Sequence, residues 1–294
     1  MTNKSSSTQD YSIWMLEYAN APLYPVSGIL YGQHNQGTVN LPYGYVVLKG
    51  ADRVVMVDVG YNYSKYGKTL ADRFGVFNWQ SPSIVMAEIG LSPEDVSDVV
   101  ITHAHFDHFG NVEDFPNATF HIQEREFTQW LWVLTLPQQF KWLQGALNPD
   151  DMVVAAGLAA SGRLNLVNGD VDDIFPGIDI RAALDSHTFG SQFVVVKNGG
   201  GTDPWVMAGD LRYVKENITG IDDSGVYVPV GLAAGSQMNL LHATERMMQA
   251  ANREERRVIA VHEDRLGQFF PSRKSTHGLT IVEITLAAGE VSRV

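Results

Sequence analysis

Six consecutive residues, His103-Ala104-His105-Phe106-Asp107-His108, carry three imidazoles and one carboxylate. Buried in an apolar core, each of these groups would need a hydrogen-bond partner or a change of charge state. A bound cation satisfies them together, so the cluster points to metal chemistry. His103 and His105 stand two apart, the spacing at which side chains of an extended segment point the same way. A turn after them would carry Asp107 and His108 to a second centre. The apolar run Val96–Thr102 leads straight into the cluster and reads as a buried strand, which argues against a chance surface grouping.

Three further residues sit at strand ends beside glycine or short polar side chains. His187 lies in Asp185-Ser-His-Thr-Phe-Gly-Ser191, just before the run Gln192–Val196. Asp210 closes Trp205-Val-Met-Ala-Gly-Asp210, and His262 closes Arg257-Val-Ile-Ala-Val-His262. Taken singly, each also reads as a structural residue. Taken with the first cluster, they complete seven ligands for two divalent metal ions. Neutral imidazoles with two carboxylates suit Zn2+, and Mn, Fe and Co share that preference. Two such ions would hold a bridging water and bring its pKa from ~15.7 toward ~7, supplying a hydroxide to attack a carbonyl.

The elements that must position these residues follow from periodicity. Gly44–Leu48 and Arg53–Asp58 read as strands joined by the turn Lys49-Gly50-Ala51-Asp52. Ser83–Gly90 reads as a helix ended by glycine, and Ser92-Pro93-Glu94-Asp95 as a helix start. Ala118–Ile122 is a short strand followed by a helix over Gln123–Trp132. Arg163–Val167, Ile178–Arg181, Gln192–Val196, Trp205–Ala208 and Arg257–Val261 read as strands, with a helix over Gln237–Ala251 before the last. The pattern predicts a layered α/β architecture in one domain over 11–294, with a Trp-rich helical insertion at about 127–160 and a frayed tail over 1–10.

Composition narrows the function. The chain has 294 residues, 45% hydrophobic and 18% charged, which fits a globular protein. Its net charge of −12, with no compensating basic patch, argues against nucleic acid and anionic membrane surfaces as partners. No cysteine is present, which excludes disulfides, thiolate metal sites and a cysteine nucleophile. The polar N-terminus lacks the apolar core of a signal peptide, and no run approaches the ~18 apolar residues of a membrane span, so the expected location is cytoplasmic.

His103–His108 matches in full the His-x-His-x-Asp-His motif of the metallo-β-lactamase-fold hydrolase superfamily, and the chain resembles that superfamily from about Tyr43 to the Val261–Arg265 segment. The resemblance implies an αββα sandwich, two mixed β-sheets flanked by helices, with the metals between the loop edges of the sheets. It implies that His103, His105 and His187 bind one metal, Asp107, His108 and His262 the other, and that Asp210 bridges them. Val57-Asp58-Val-Gly60 resembles the family's early Asp-x-Gly turn, implying that Asp58 orients a metal-bound histidine. Leu166–Asp170 and Pro176-Gly-Ile178 resemble its second-half hairpin.

Within the superfamily, the lack of cysteine disfavours the cysteine-ligated β-lactamases. His105 stands where the diiron flavoproteins carry glutamate, no flavodoxin-like domain follows, and there is no room for the inserted domain of the nucleolytic branch. Glyoxalase II stays open, without an obvious C-terminal basic cluster for glutathione. Tyr213, three residues after Asp210, has the spacing seen in the quorum-quenching N-acyl homoserine lactonases. That resemblance implies a hydroxyl over the metals, bonding the substrate carbonyl or the tetrahedral intermediate, with Asp107 handing a proton to the leaving alkoxide. The alternative is a packed or capping tyrosine. Asp185-Ser186 replaces the usual Pro-Gly before His187, and Phe189 a common proline, so the substrate loop departs from the family pattern.

The expected reaction is opening of a lactone ring on a small molecule with an apolar group. The same site would serve an amide, ester, thioester or phosphotriester, and a non-catalytic metal-binding module is a third reading. Trp130, Trp132, Phe140 and Trp142 are candidates for the substrate pocket, or else for helix packing or a homodimer contact. His34, in a glycine-rich loop, could border the site. Asp264 is either an outer partner of His262 or a solvated acid. His121, His242 and His277 are expected to ligate nothing.

Overall fold

The strands read as continuous apolar runs because both of their faces are covered. In β1 (Ser12–Pro25), Ile13 and Met15 point into one core while Trp14 and Leu16 point into another. The polar alternation that marks a half-exposed strand is therefore missing, and β1 is invisible to periodicity. The computed structural model describes residues 9–294. Most of the expected N-terminal tail lies outside the described residues, but its last two positions are tied down. Gln9 Nε2 donates to Asp52 Oδ1 at 2.8 Å, and Asp10 Oδ1 accepts the Gly199 N–H at 2.7 Å.

β1 pairs antiparallel with β2 (Thr38–Lys49), which turns through Gly50 into β3 (Val54–Val57) as the hairpin reading expects. β4 (Asp98–Val100), β5 (Thr119–Gln123) and β6 (Leu164–Val167) then add in parallel. The second sheet runs antiparallel through β7 (Val171–Phe175), β8 (Ile178–Ala182), β9 (Gln192–Asn198) and β10 (Asp203–Met207). Two-residue β11 (Val258–Ile259) joins β10 in parallel. The chain returns to the first sheet with β12 (Ser272–Lys274) and β13 (Thr280–Thr285), the latter beside β1.

Both sheets are mixed, and they share an apolar layer that includes Val46, Val55, Ile180, Val194 and Met207. Helices cover the outer faces. Lys65–Phe74, Pro82–Ala87, Glu124–Leu134 and Pro149–Ala160 belong to the first sheet's side, and Gln237–Ala250 packs on the second. This is the expected αββα sandwich. Among the described residues, no helix is long and apolar enough to cross a membrane.

The expected elements shift at their edges for local reasons. Ser92 starts only one tight turn, Pro93–Asp95, in which Asp95 Oδ2 accepts the Ser92 N–H at 2.8 Å. The strand expected over Val96–Thr102 stops at Val100, because Thr102 turns to bond Asp58. The helix Lys65–Phe74 is strongly amphipathic but is not among the expected elements, and Gly75, at φ +69°, ends it. Trp130 and Trp132 share the helix Glu124–Leu134 but, two residues apart, face opposite sides: Trp130 is buried and Trp132 half-exposed.

Asn198 joins the two sheets where β1 begins. Its Nδ2 donates to Tyr11 O at 2.8 Å and its Oδ1 accepts the Tyr11 N–H at 2.9 Å, both buried. Asn198→Ala strands two backbone groups, each worth roughly 1–3 kcal/mol when left unpaired. Urea unfolding should show a loss of about 2–4 kcal/mol, with metal content unchanged.

Candidate metal centre

Parallel pairing brings the chemistry to one edge. β3 and β4 run in parallel, so Asp58 and the Thr102–His108 segment leave the first sheet at the same end. β10 and β11 run in parallel in the second sheet, so Asp210 and His262 do likewise. His187 comes from the loop between β8 and β9. Gly209 permits the final approach: its φ is +52°, and a Cβ there would lie 2.6 Å from Thr102 Oγ1.

The seven candidate ligands meet in two clusters, all buried. One comprises His103, His105, His187 and Asp210, the other Asp107, His108, Asp210 and His262. His105 Nδ1 lies 3.0 Å from both His103 Nε2 and His187 Nε2, and Asp210 Oδ2 stands 3.4 Å from His187 Nε2. Asp210 turns its other oxygen the opposite way, with Oδ1 at 3.0 Å from His108 Nε2 and 3.1 Å from His262 Nε2. Asp107 Oδ2 completes that side at 3.5 Å from His108 Nε2.

These atoms fit a cation better than one another. A tetrahedral zinc ion with bonds of 2.0–2.1 Å to nitrogen spaces its ligands about 3.3 Å apart. His108 Nε2, His262 Nε2 and Asp210 Oδ1 are buried without a hydrogen-bond partner despite their closeness. His105 Nδ1 faces two imidazole nitrogens but can share a proton with only one of them. Each cluster therefore has the donors to hold one divalent ion, with Asp210 shared.

The outward nitrogens are held in place. His108 Nδ1 lies 2.8 Å from Asp58 Oδ2, and His262 Nδ1 donates to Pro42 O at 2.6 Å. Thr102 Oγ1 donates to Asp58 Oδ2 at 2.8 Å and so accepts from His103 Nδ1 at 3.0 Å. Asp58 therefore orients one ligand of each cluster, His108 directly and His103 through Thr102. Its backbone sits at φ +65°, which lets the carboxylate turn back under the loop. Thr102, which directly precedes the motif, thus serves the centre without being a ligand.

Electrostatics follow the same division. Burial and His108 push the His103 pKa well below 6.5, and burial and His187 push His105 down to about 3. Burial would also lower His108, but Asp210, Asp107 and Asp58 hold it well above its ordinary value, and against burial Asp210 raises His262. Burial would raise Asp210, yet His108 and His262 keep it well below the carboxylate range.

The other candidates lie apart. The narrow recess over the clusters is lined by Tyr24, Leu41, Tyr43, Phe74, Phe106, Ala146 and Leu232, together with His105, Asp107, Asp210, Tyr213 and His262. Trp130 is buried behind His105, its ring 5.9 Å away, and its Nε1 donates to Glu126. Trp132, Phe140 and Trp142 are exposed, and none of them lines the recess. His34 is exposed in a turn, also off the recess. None of these five borders the recess: the helix turns its apolar face to the core, and Tyr24 and Tyr43 of the first two strands line the recess. Asp264 bonds Asn40 Nδ2 at 2.7 Å rather than His262, and His121 pairs with Asp98. Tyr24 and Tyr43 fall in a stretch whose aromatic content was the one available signal.

A helix–sheet–sheet–helix sandwich with adjoining histidine–aspartate clusters at its loop edge defines a metallo-hydrolase scaffold. Residues 39–253 match the family model of the metallo-beta-lactamase superfamily, and the chain belongs to that superfamily. It is 24% identical to a probable metallo-hydrolase of Mycobacterium tuberculosis over 213 residues, covering 69% of this chain and 67% of the relative. A solved N-acyl homoserine lactone hydrolase, with the product N-hexanoyl-L-homoserine at its catalytic metal centre, superposes at TM-score 0.64. It is 16% identical, covering 89% of this chain and 96% of the other. The dizinc quorum-quenching lactonase AidC superposes at TM-score 0.62 with 13% identity, covering 95% and 99%.

Asp58→Asn should weaken metal binding about 10–100-fold, with both ions affected, as measured by competition with a chromophoric chelator. In the metal-free protein, His103 and His105 stay neutral while their unfolded counterparts take up protons below about pH 6.5, so stability is lost on acidification. His108 and His262 keep protons that the unfolded chain gives up above that pH, so stability also falls as pH rises. Thermal unfolding of the metal-free protein should peak near pH 6.5. Bound metal, which requires deprotonated imidazoles, should remove the alkaline decline.

Proposed function

We propose that the protein is a dinuclear metal-dependent lactonase that opens a lactone ring, with N-acyl homoserine lactones as the leading substrate class. Tyr213 carries this reading. Its Oη donates to Asp210 Oδ2 at 2.5 Å, and its ring stacks on His262 with centroids 4.8 Å apart. A phenol is thus fixed beside both clusters, at the wall of the recess. Burial and the Asp210 carboxylate hold its pKa well above 10, so it keeps its proton at neutral pH. The activities named for the two lactonase neighbours support the same bond type.

The donor set suits zinc, with manganese, iron and cobalt as alternatives. When bound, a pair of divalent ions supplies an activated water near neutral pH and polarises a carbonyl oxygen. The protein's own groups handle the protons. Asp107, whose carboxylate borders the recess, accepts a proton as water adds to the carbonyl carbon. Tyr213 Oη turns from Asp210 to the oxyanion. As the acyl–oxygen bond breaks, Asp107 returns its proton to the departing alkoxide, leaving a hydroxy acid that ionises and releases one proton to solvent.

We place an apolar substituent in a cavity reached from the recess through neighbouring residues of the chain. A cavity of about 490 Å³ is lined by Val26, Ile29, Leu30, Val39, Val214 and Ile221 together with Gln33, Gln36, Asn40, Glu216, Glu263, Asp264 and Arg265. Val214 adjoins Tyr213 in the chain and Val39 lies two residues before Leu41, so this cavity, rather than the 127–142 stretch, is the place proposed for an acyl group. A second reading changes the bond to an aryl ester or amide, which the aromatic rings of Tyr24, Tyr43, Phe74 and Phe106 in the recess favour.

Zinc-loaded protein mixed with a long-chain acyl homoserine lactone should release one proton per turnover, read with a pH indicator against Asp107→Ala as an inactive blank. Tyr213→Phe should lose about 10²–10³ in rate with both metals retained. Unchanged kinetics would remove Tyr213 from the reaction, and a two-metal protein silent on lactones would remove the lactone.

A further inference from the structure

Glu126, on the helix Glu124–Leu134, is fully buried and holds four hydrogen bonds, two on each carboxylate oxygen. Oε1 accepts the Ala104 N–H at 2.8 Å and Trp130 Nε1 at 2.7 Å. Oε2 accepts the Gly190 N–H at 2.6 Å and Thr188 Oγ1 at 2.8 Å. Ala104 lies between the ligands His103 and His105, and Thr188 follows the ligand His187. One side chain thus spans the two chain segments that build the three-histidine cluster. Burial raises the Glu126 carboxyl pKa and the four donors oppose that rise, matching the acceptor capacity of an ionised carboxylate.

The surroundings fit that task. A Cβ on Gly190 would come within 2.3 Å of Glu126 N, so glycine is what lets the His187 loop lie against the helix. Trp130 packs between Phe189 of that loop, centroids 5.0 Å apart, and His105. The loop that departs from the family pattern at Asp185-Ser186 and Phe189 is therefore anchored from the Trp-rich helix.

We infer that Glu126 is a positioning residue for the three-histidine half of the metal centre: it fixes His187 relative to His103 and His105 and sets a negative charge behind them. The inference rests on the reading of the two clusters as a metal centre, and it makes the Trp-rich helix a support for the ligands. Glu126→Gln keeps the shape but removes the charge and turns an amide N–H₂ toward donors on one side.

The test is zinc binding by the full chain, stripped with a chelator and titrated against a chromophoric competitor. The wild type is expected to show two steps, one of which His187→Ala abolishes. Glu126→Gln should weaken that same step about 10–100-fold and leave the other within about threefold, while the amide facing buried donors lowers the thermal midpoint of the metal-free protein without equalising the two steps. Thr188→Val, which removes one of the four donors, should weaken the same step about fivefold, and it carries the test alone if Glu126→Gln does not fold. Equal weakening of both steps in parallel with a fall in metal-free stability would make Glu126 merely structural, and unchanged steps in either folded variant would overturn the inference. A wild type that binds two ions but opens no lactone would count against the substrate and leave this assignment standing. A wild type that binds less than one ion would remove both.

Discussion

Asp210 turns one carboxylate oxygen toward His103 and His187 and the other toward His108 and His262. Two clusters that share a ligand cannot be placed independently, so the two sheets must meet at one edge with little tolerance. The first sheet contributes the His103–His108 segment, and the second contributes Asp210 and His262. The apolar layer between the sheets therefore does more than bury area, because its thickness sets the distance between the two groups of ligands. Gly209 shows how tight that junction is, with no room for a methyl group against Thr102.

Concentrating five imidazoles and two carboxylates below the surface costs folding energy that the polypeptide alone does not recover. His103 and His105 are forced neutral, while His108 and His262 are forced toward the charged form by the same carboxylates. The polar groups around the cluster limit that conflict. Asp58 joins His108 to Thr102, the Pro42 carbonyl fixes His262, and Glu126 ties two loops together. Such anchors preorganise ligands for a cation, whose binding offsets the cost of burying them.

How much of this could be read from the residues alone depended on locality. His103, His105, Asp107 and His108 are adjacent in the chain, so their type and spacing carry the information without any knowledge of the fold. Asp210, His187 and His262 stand out only as polar ends of apolar strands, a pattern with many ordinary causes, and the family resemblance supplied their pairing. Aromatic content does not say which way a helix turns, so it does not locate the recess. Trp130 faces the core, Trp132 faces solvent, and the rings that do line the recess come from strands and loops far apart in sequence. β1 escaped notice for a related reason: a strand buried on both faces has no alternation to detect.

The position of β1 also bears on how the protein is made. It lies between β2 and β13, and Leu16 pairs with both Tyr45 and Ile281. During synthesis β1 and β2 can form a hairpin early, but the other margin of β1 stays open until Thr280–Thr285 leaves the ribosome. Through that interval an apolar strand offers unpaired amides and carbonyls to any neighbour, including a nascent copy of itself. Conditions that slow translation, or truncations that remove Thr280–Thr285, would lengthen that exposure and turn an interior strand into a seed for aggregation.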